Sequence, residues 1–141
     1  MTRYEAVYND ALALIAKENV HVIHCALPPN TNGYFCCRPK HIAIRKTLKY
    51  KKEGLIALFH EYGHYMDFKA KKYKNFFSQK SLGKFDKKKM LEIERAEKSA
   101  GRWAQKMLKK YGIEYEAEEL DPEQLKSLRK GWRIYYFDRE K

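Results

Sequence analysis

Apolar side chains recur at Tyr4, Val7, Tyr8, Ala11, Leu14 and Ile15, the three-to-four spacing that stacks residues on one helix face. The pattern predicts a helix over residues 3–19, closed at Asn19 or in the turn after it. The period then shortens. Residues 20–27 are β-branched and alternating enough for a strand, and the run Pro-Pro-Asn-Thr-Asn-Gly at 28–33 is a turn by composition. Residues 34–37 read as a second strand, and residues 40–45 as a third, with Ile42 and Ile44 alternating against their neighbours. Helical spacing returns from about Lys52 to Tyr73. Asp86 is placed to cap a long helix from about Lys87 to Tyr111, and Gly112 to stop it. Asp121-Pro122, a cap followed by a first-turn proline, opens a short last helix ending near Lys130. Helix, three short strands and then helices predict an α+β domain with a small antiparallel or mixed sheet.

The chain has 141 residues, enough for one domain (1–141) to bury a core without disulfide staples. Cys25, Cys36 and Cys37 are odd in number and lack C-x-x-C spacing, which reads as free thiols in a reducing, cytoplasmic setting. Adjacent residues on a strand face opposite sides, so neither His24-Cys25 nor Cys36-Cys37 converges on one ion. No apolar run approaches the ~18 residues that a membrane span needs. Residues 1–17 mix charged with apolar positions, unlike a secretory signal.

Formal net charge is +12 and unevenly placed. Residues 69–89 hold nine lysines against one acid, Asp86, while residues 112–123 hold six acids and no base. The basic stretch, with a loop at about 73–87, has the composition of a solvated segment or of a site for nucleic acid or an acidic partner. Tyr73, Phe76, Phe77 and Phe85 are interleaved with those lysines, so part of the loop is expected to pack or to cover something.

One stretch specifies a chemistry: His60-Glu61-Tyr62-Gly63-His64, preceded by the apolar run 55–59. Histidines four apart on a helix share a face, so both imidazoles can reach one cation at the ~2.0–2.1 Å of zinc–nitrogen bonds. Glu61, about 100° further round, is poorly placed as a ligand but can take a proton from a water on the metal. Gly63 inside a helix costs ~1 kcal/mol relative to Ala, which implies close approach of another element there. A catalytic zinc site needs a third protein ligand. No histidine follows His64, which leaves the carboxylates Glu92, Glu94 and Glu97 on the long helix. Its inward stripe reads Ile93, Ala96, Ala100, Trp103, Ala104, Met107 and Tyr111. Glu97 lies nearest the stripe's centre, at roughly 65°, against roughly 75° for Glu92 and roughly 125° for Glu94. Glu97 is the expected ligand, with Glu94 in reserve. Asp67, one turn after His64, is placed to accept an imidazole N–H.

The motif 60–64, followed by Glu97-x-x-Ala100-x-x-Trp103-Ala104, resembles the gluzincin peptidases, above all the small ImmA/IrrE-type metallopeptidases. The strand at 40–45 ahead of the metal helix is similar to theirs, and the resemblance covers roughly residues 3–112. Ser99 stands where these proteins often have a second Glu, and Gly101 where gluzincins often have an Asp. The resemblance implies a minimal zincin-like domain holding one Zn2+ on His60, His64 and Glu97, with Glu61 as general base. It also implies a protein or peptide substrate, an intracellular regulatory protein among the candidates, lying extended along the strand Ile42, Ala43 and Ile44. Tyr62, Tyr65, Arg133, Tyr135 and Tyr136 are all available to stabilise the carbonyl oxygen, and the sequence does not choose among them. Two other readings stand beside this one. The first is a SprT-like, nucleic-acid-associated protease, or a DNA- or RNA-binding protein using the Lys-rich loop, although a third histidine and a zinc ribbon are missing. The second is a metal-binding regulator without peptidase activity.

Overall fold

The computed structural model describes residues 1–77, 82–117 and 122–137. It is an α+β arrangement of four helices and a three-stranded sheet, in the order the hydrophobic pattern predicts. Helix α1 (Arg3–Ala16) starts where the Thr2 hydroxyl accepts from the Glu5 N–H and buries Val7, Tyr8, Ala11 and Ile15. It stops short of Asn19, whose positive φ of 58° turns the chain into strand β1 (His21–Cys25). The Tyr8 hydroxyl, 2.7 Å from His24 Nε2, ties α1 to that strand.

Strands β2 (Gly33–Cys37) and β3 (Lys40–Arg45) form a hairpin across Arg38-Pro39. The sheet is mixed: β3 runs parallel to β1 and antiparallel to β2, in the order β1-β3-β2. This corrects the expected place of the substrate strand. β3 is hydrogen-bonded on both sides, and Ile42, Ala43 and Ile44 are fully buried, so no extended chain can pair with them. The hairpin fills one side of β3 and β1 takes the other. The free edge on the cleft side belongs to β2.

Helix α2 (Lys52–Lys69) is the central element. Leu55, Leu58, Phe59, Tyr62 and Tyr65 join α1 and the sheet in the main core. It ends before the expected Tyr73 because Lys71 and Tyr73 take positive φ values of 60° and 55°, which break the helix. Helix α3 (Lys87–Lys110) has the predicted ends. The Asp86 carboxylate accepts from Lys88 N–H at 2.7 Å, and Gly112 at φ 71° closes the far end. There Gly112 N–H donates to Lys109 and Ile113 N–H to Leu108, the paired bonds of a Schellman stop. Arg3 adds side-chain bonds to the carbonyls of Tyr111 and Gly112. The buried stripe of α3 is shifted slightly from the one expected. Met90 and Leu108 are inside, while Trp103 and Tyr111 are half-buried.

Helix α4 (Pro122–Tyr136) continues past Lys130, because Trp132 and Tyr136 still find apolar partners. They pack on a second, smaller core of Leu82, Met90, Ile93 and Phe137. The proposed cap Asp121 lies outside the described residues. Among those residues no helix is long and apolar enough to cross a membrane.

The contact that matters most for function is the crossing of α2 and α3. A Cβ at Gly63 would stand 2.6 Å from Trp103 Cβ and 3.1 Å from the Ala100 backbone. With Ala96, Ala100 and Ala104 fully buried on the facing stripe, the helices touch nearly backbone to backbone. Gly63→Ala therefore forces α2 and α3 apart, because Trp103 Cβ cannot swing away. The clash should outweigh the ~1 kcal/mol of helix propensity gained, for a net loss of about 1–2 kcal/mol. Thermal unfolding should show a Tm lower by several degrees; an unchanged or higher Tm would mean the crossing has slack.

Candidate metal centre

His60 and His64 lie one turn apart on α2, their rings 4.9 Å apart and nearly perpendicular at 85°. From α3, the Glu97 carboxylate meets both: Oε2 is 3.0 Å from His60 Nε2, and Oε1 is 3.4 Å from His64 Nε2. Donors at ~2.0–2.2 Å from one tetrahedral zinc stand roughly 3.3–3.6 Å from one another. Two imidazole nitrogens and a carboxylate at these separations form the kind of donor set that can hold such an ion. Ligand-type atoms of His60, Glu61 and His64 also lie within 4.8 Å of one another.

Each glutamate of α3 has a different use. Glu94 is buried but accepts from the Arg129 guanidinium of α4, so the reserve ligand is already committed. The Glu92 carboxylate accepts from Asn75 N–H, Asn75 Nδ2 and Phe76 N–H at 2.9, 3.0 and 3.1 Å. It thereby pins the turn after α2 against α3. That turn lays Phe76 5.0 Å from the His64 ring, with Phe77 beside it, which is what the interleaved aromatics cover. Phe85 is used elsewhere, against Phe137.

The electrostatics follow from burial and pairing. Burial alone would raise the Glu97 pKa, but the His64 and His60 imidazoles outweigh it and hold this carboxyl well below the usual range. For His60, burial opposes the charged form, yet the Glu97 hydrogen bond and the Glu61 and Glu97 charges raise its pKa overall. Glu61 is 7% exposed; burial, and secondarily the Glu97 charge, lift its pKa against the pull of the two histidines. Glu61 lines the cleft and has the pKa direction expected of a general base.

Asp67 departs from expectation in its partner. Its Oδ1 accepts from Trp103 Nε1 at 3.2 Å, and no hydrogen bond joins it to His64. Yet His64 Nδ1 and Asp67 Oδ2 are both buried, and among the described residues neither has a partner. An imidazole that offers Nε2 to a metal carries its proton on Nδ1 and gives it to an acceptor, and among the described residues His64 has none in place.

The centre opens on a cleft of about 1200 Å³ between β2, α2 and α4. Gly33 begins β2 beside the base: a Cβ there would lie 3.4 Å from Glu61 Cγ and 2.7 Å from the Ala43 carbonyl oxygen. Of the side chains considered for stabilising a carbonyl oxygen, Tyr62 and Tyr65 belong to the core, and the Tyr65 hydroxyl donates to Glu18. Arg133 lies over the Phe85 ring. Tyr135 and Tyr136 line the cleft. Burial, then the charges of Glu97 and Glu61, push the Tyr136 phenol well above its ordinary pKa, so it stays a donor. Cys25, Cys36 and Cys37 are free thiols, with Cys37 Sγ donating to the Phe77 carbonyl.

Sequence reasoning missed Gly33 as part of this region and the part of Glu92 in holding the turn, and it left Tyr136 as one of five candidates. Gly33 had a signal, a glycine at the mouth of a strand. Glu92 had none, since a glutamate at a stripe's margin looks like ordinary surface. No family model, curated protein or solved structure matches the chain.

Replacing Glu92 by alanine should release the 73–77 turn from α3 and uncover His64. The lost charge-assisted bonds should cost about 1–2 kcal/mol. Amide exchange at Asn75 and Phe76 should accelerate well before that of α2. Unchanged exchange there would show that the aromatic contacts alone hold the turn.

Proposed function

We propose that the protein is a zinc-dependent endopeptidase, similar to the small ImmA/IrrE-type metallopeptidases, cleaving an intracellular regulatory protein. The observation that carries this reading is the Glu97 carboxylate spanning the Nε2 atoms of His60 and His64 at 3.0 and 3.4 Å, with Glu61 beside them. His60, His64 and Glu97 would hold the ion, and zinc there supplies Lewis acidity towards water and a carbonyl oxygen.

The residues of the chain do the rest. The free edge of β2 offers backbone groups to an extended substrate, and Gly33 lets that backbone pass close to Glu61. Glu61 takes the proton of the water that attacks the carbonyl carbon, and passes it to the leaving nitrogen as the C–N bond breaks. The Tyr136 phenol donates to the carbonyl oxygen as it gains charge. Phe76, Trp132 and Tyr135 line the cleft as apolar surface that excludes bulk water.

Metal content decides the ligands. Wild type and Glu94→Ala should purify with about one zinc per chain, and Glu97→Ala should lose it. Zinc retained in Glu97→Ala but lost in Glu94→Ala would reverse the assignment. Glu61→Gln should keep zinc while turnover on a fluorescence-quenched peptide library falls at least ~100-fold. Stoichiometric zinc with no wild-type turnover on peptides or unfolded proteins would favour a metal-binding regulator instead.

Tyr136→Phe should lower kcat by about 10–100-fold with little change in KM, because the bond it removes forms only as charge develops. A change confined to KM would make Tyr136 a substrate-binding residue only.

A further inference from the structure

A row of basic side chains sits on the back of α3, separate from the lysines of the loop that precedes it. Lys88, Arg95, Lys98, Arg102, Lys106 and Lys109 are all exposed on this helix. At about 100° per residue they fall within an arc of roughly 80°, close to opposite the buried stripe of Ile93, Ala100 and Ala104. From Lys88 to Lys109 the row is about 32 Å long at 1.5 Å per residue.

Nothing on the helix neutralises it. The three glutamates of α3 are turned to other work: Glu92 to the Asn75 turn, Glu94 to Arg129, Glu97 to the two histidines. Among the described residues none of the six cations makes a salt bridge, and Lys106 has only the Trp103 ring, 5.3 Å away. Segment 113–117 returns along one flank, where Ala117 N–H donates to Gln105 Oε1 at 3.4 Å. Its exposed Glu114 and Glu116 bound the face without pairing with it. Lys69, at the end of α2, is by contrast paired with Glu18.

We propose that this face of α3 binds the phosphate backbone of a nucleic-acid duplex. Charge complementarity selects a polyanion, and the straight, regular row of cations suits a rigid one. Leu91 is the only apolar side chain in the row, too little for a helix that inserts into a membrane surface. No exposed aromatic ring stands in it, so it lacks the stacking platform that single strands require. Recognition is by backbone charge and carries no sequence preference. The bound duplex lies on the far side of α3 from the cleft, which stays open. The inference does not rest on the peptidase reading.

The test is fluorescence anisotropy with labelled duplexes of about 20 base pairs, DNA and RNA, from about 50 to 200 mM salt. Engagement of four to six phosphates should give a log–log salt slope between about −3.5 and −5.5. The triple variant R95E/K98E/R102E should bind at least ~10-fold more weakly, and R95Q/K98Q/R102Q by an intermediate amount, both with wild-type circular dichroism and zinc content. K71E/K72E/K74E, in the loop, should change affinity less than about threefold. Binding to both duplexes supports the shape-independent backbone reading, and binding to one of them supports the face but narrows its ligand. No duplex binding at about 50 mM salt overturns the proposal, as does undiminished binding by R95E/K98E/R102E. Capture by phosphatidylglycerol vesicles or polyglutamate with no duplex bound overturns it in favour of a membrane or acidic-protein partner.

Discussion

The near backbone-to-backbone contact of α2 with α3 at Gly63, Ala100 and Trp103 governs the rest of this molecule. A glutamate side chain reaches only a few ångströms from its helix. Glu97 can meet two imidazoles on a neighbouring helix only if the helix axes are drawn in to the lower end of the usual 8–10 Å. Small residues achieve that, at the expense of the apolar burial that larger side chains would have brought. The same crossing places Trp103 over α2, where its indole N–H satisfies one oxygen of buried Asp67.

Close packing brings buried charge with it, and the arrangement of α3 shows how that charge is handled. A carboxylate held out of water is costly unless it is paired. Glu94 meets Arg129, Glu92 meets three N–H donors, and Glu97 meets His60 and His64. Each pairing joins α3 to a different element: α4, the turn at 73–77, and α2. The centre is therefore braced from three directions, and six cations lie together on the outer side of the helix. Along α3 the acids are paired with neighbouring elements while a row of bases faces outward, so the helix presents two chemically different faces.

The sheet contributes less to the centre than its place in the sequence suggests. β3 supplies the wall of buried Ile42, Ala43 and Ile44 against which α2 rests, while the later-inserted order β1-β3-β2 leaves β2 as the cleft-side edge. The proposed substrate path moves accordingly from β3 to β2, beside Gly33 and Glu61. The aromatic turn at Phe76 and Phe77 closes over His64 from the opposite side, and α4 brings Tyr136 to the cleft.

Much of this was legible in the order of residues. The motif at 60–64, the cap at Asp86, the stop at Gly112 and the edge position of Glu97 on an apolar stripe are local, written in helical spacing and backbone preference. So was the need for close approach at Gly63, because a glycine there is otherwise unfavourable. The strand order, the partner of Asp67, the diversion of Glu94 to Arg129, the pinning of Phe76 by Glu92 and the placing of Tyr135 and Tyr136 at the cleft were not. Each depends on residues tens of positions apart meeting in space, and periodicity carries no information about which face of one element meets another. Local sequence determined the helices and the two histidines; only tertiary packing decided which carboxylate faces them and which edge stays free, because those depend on how closely the elements approach.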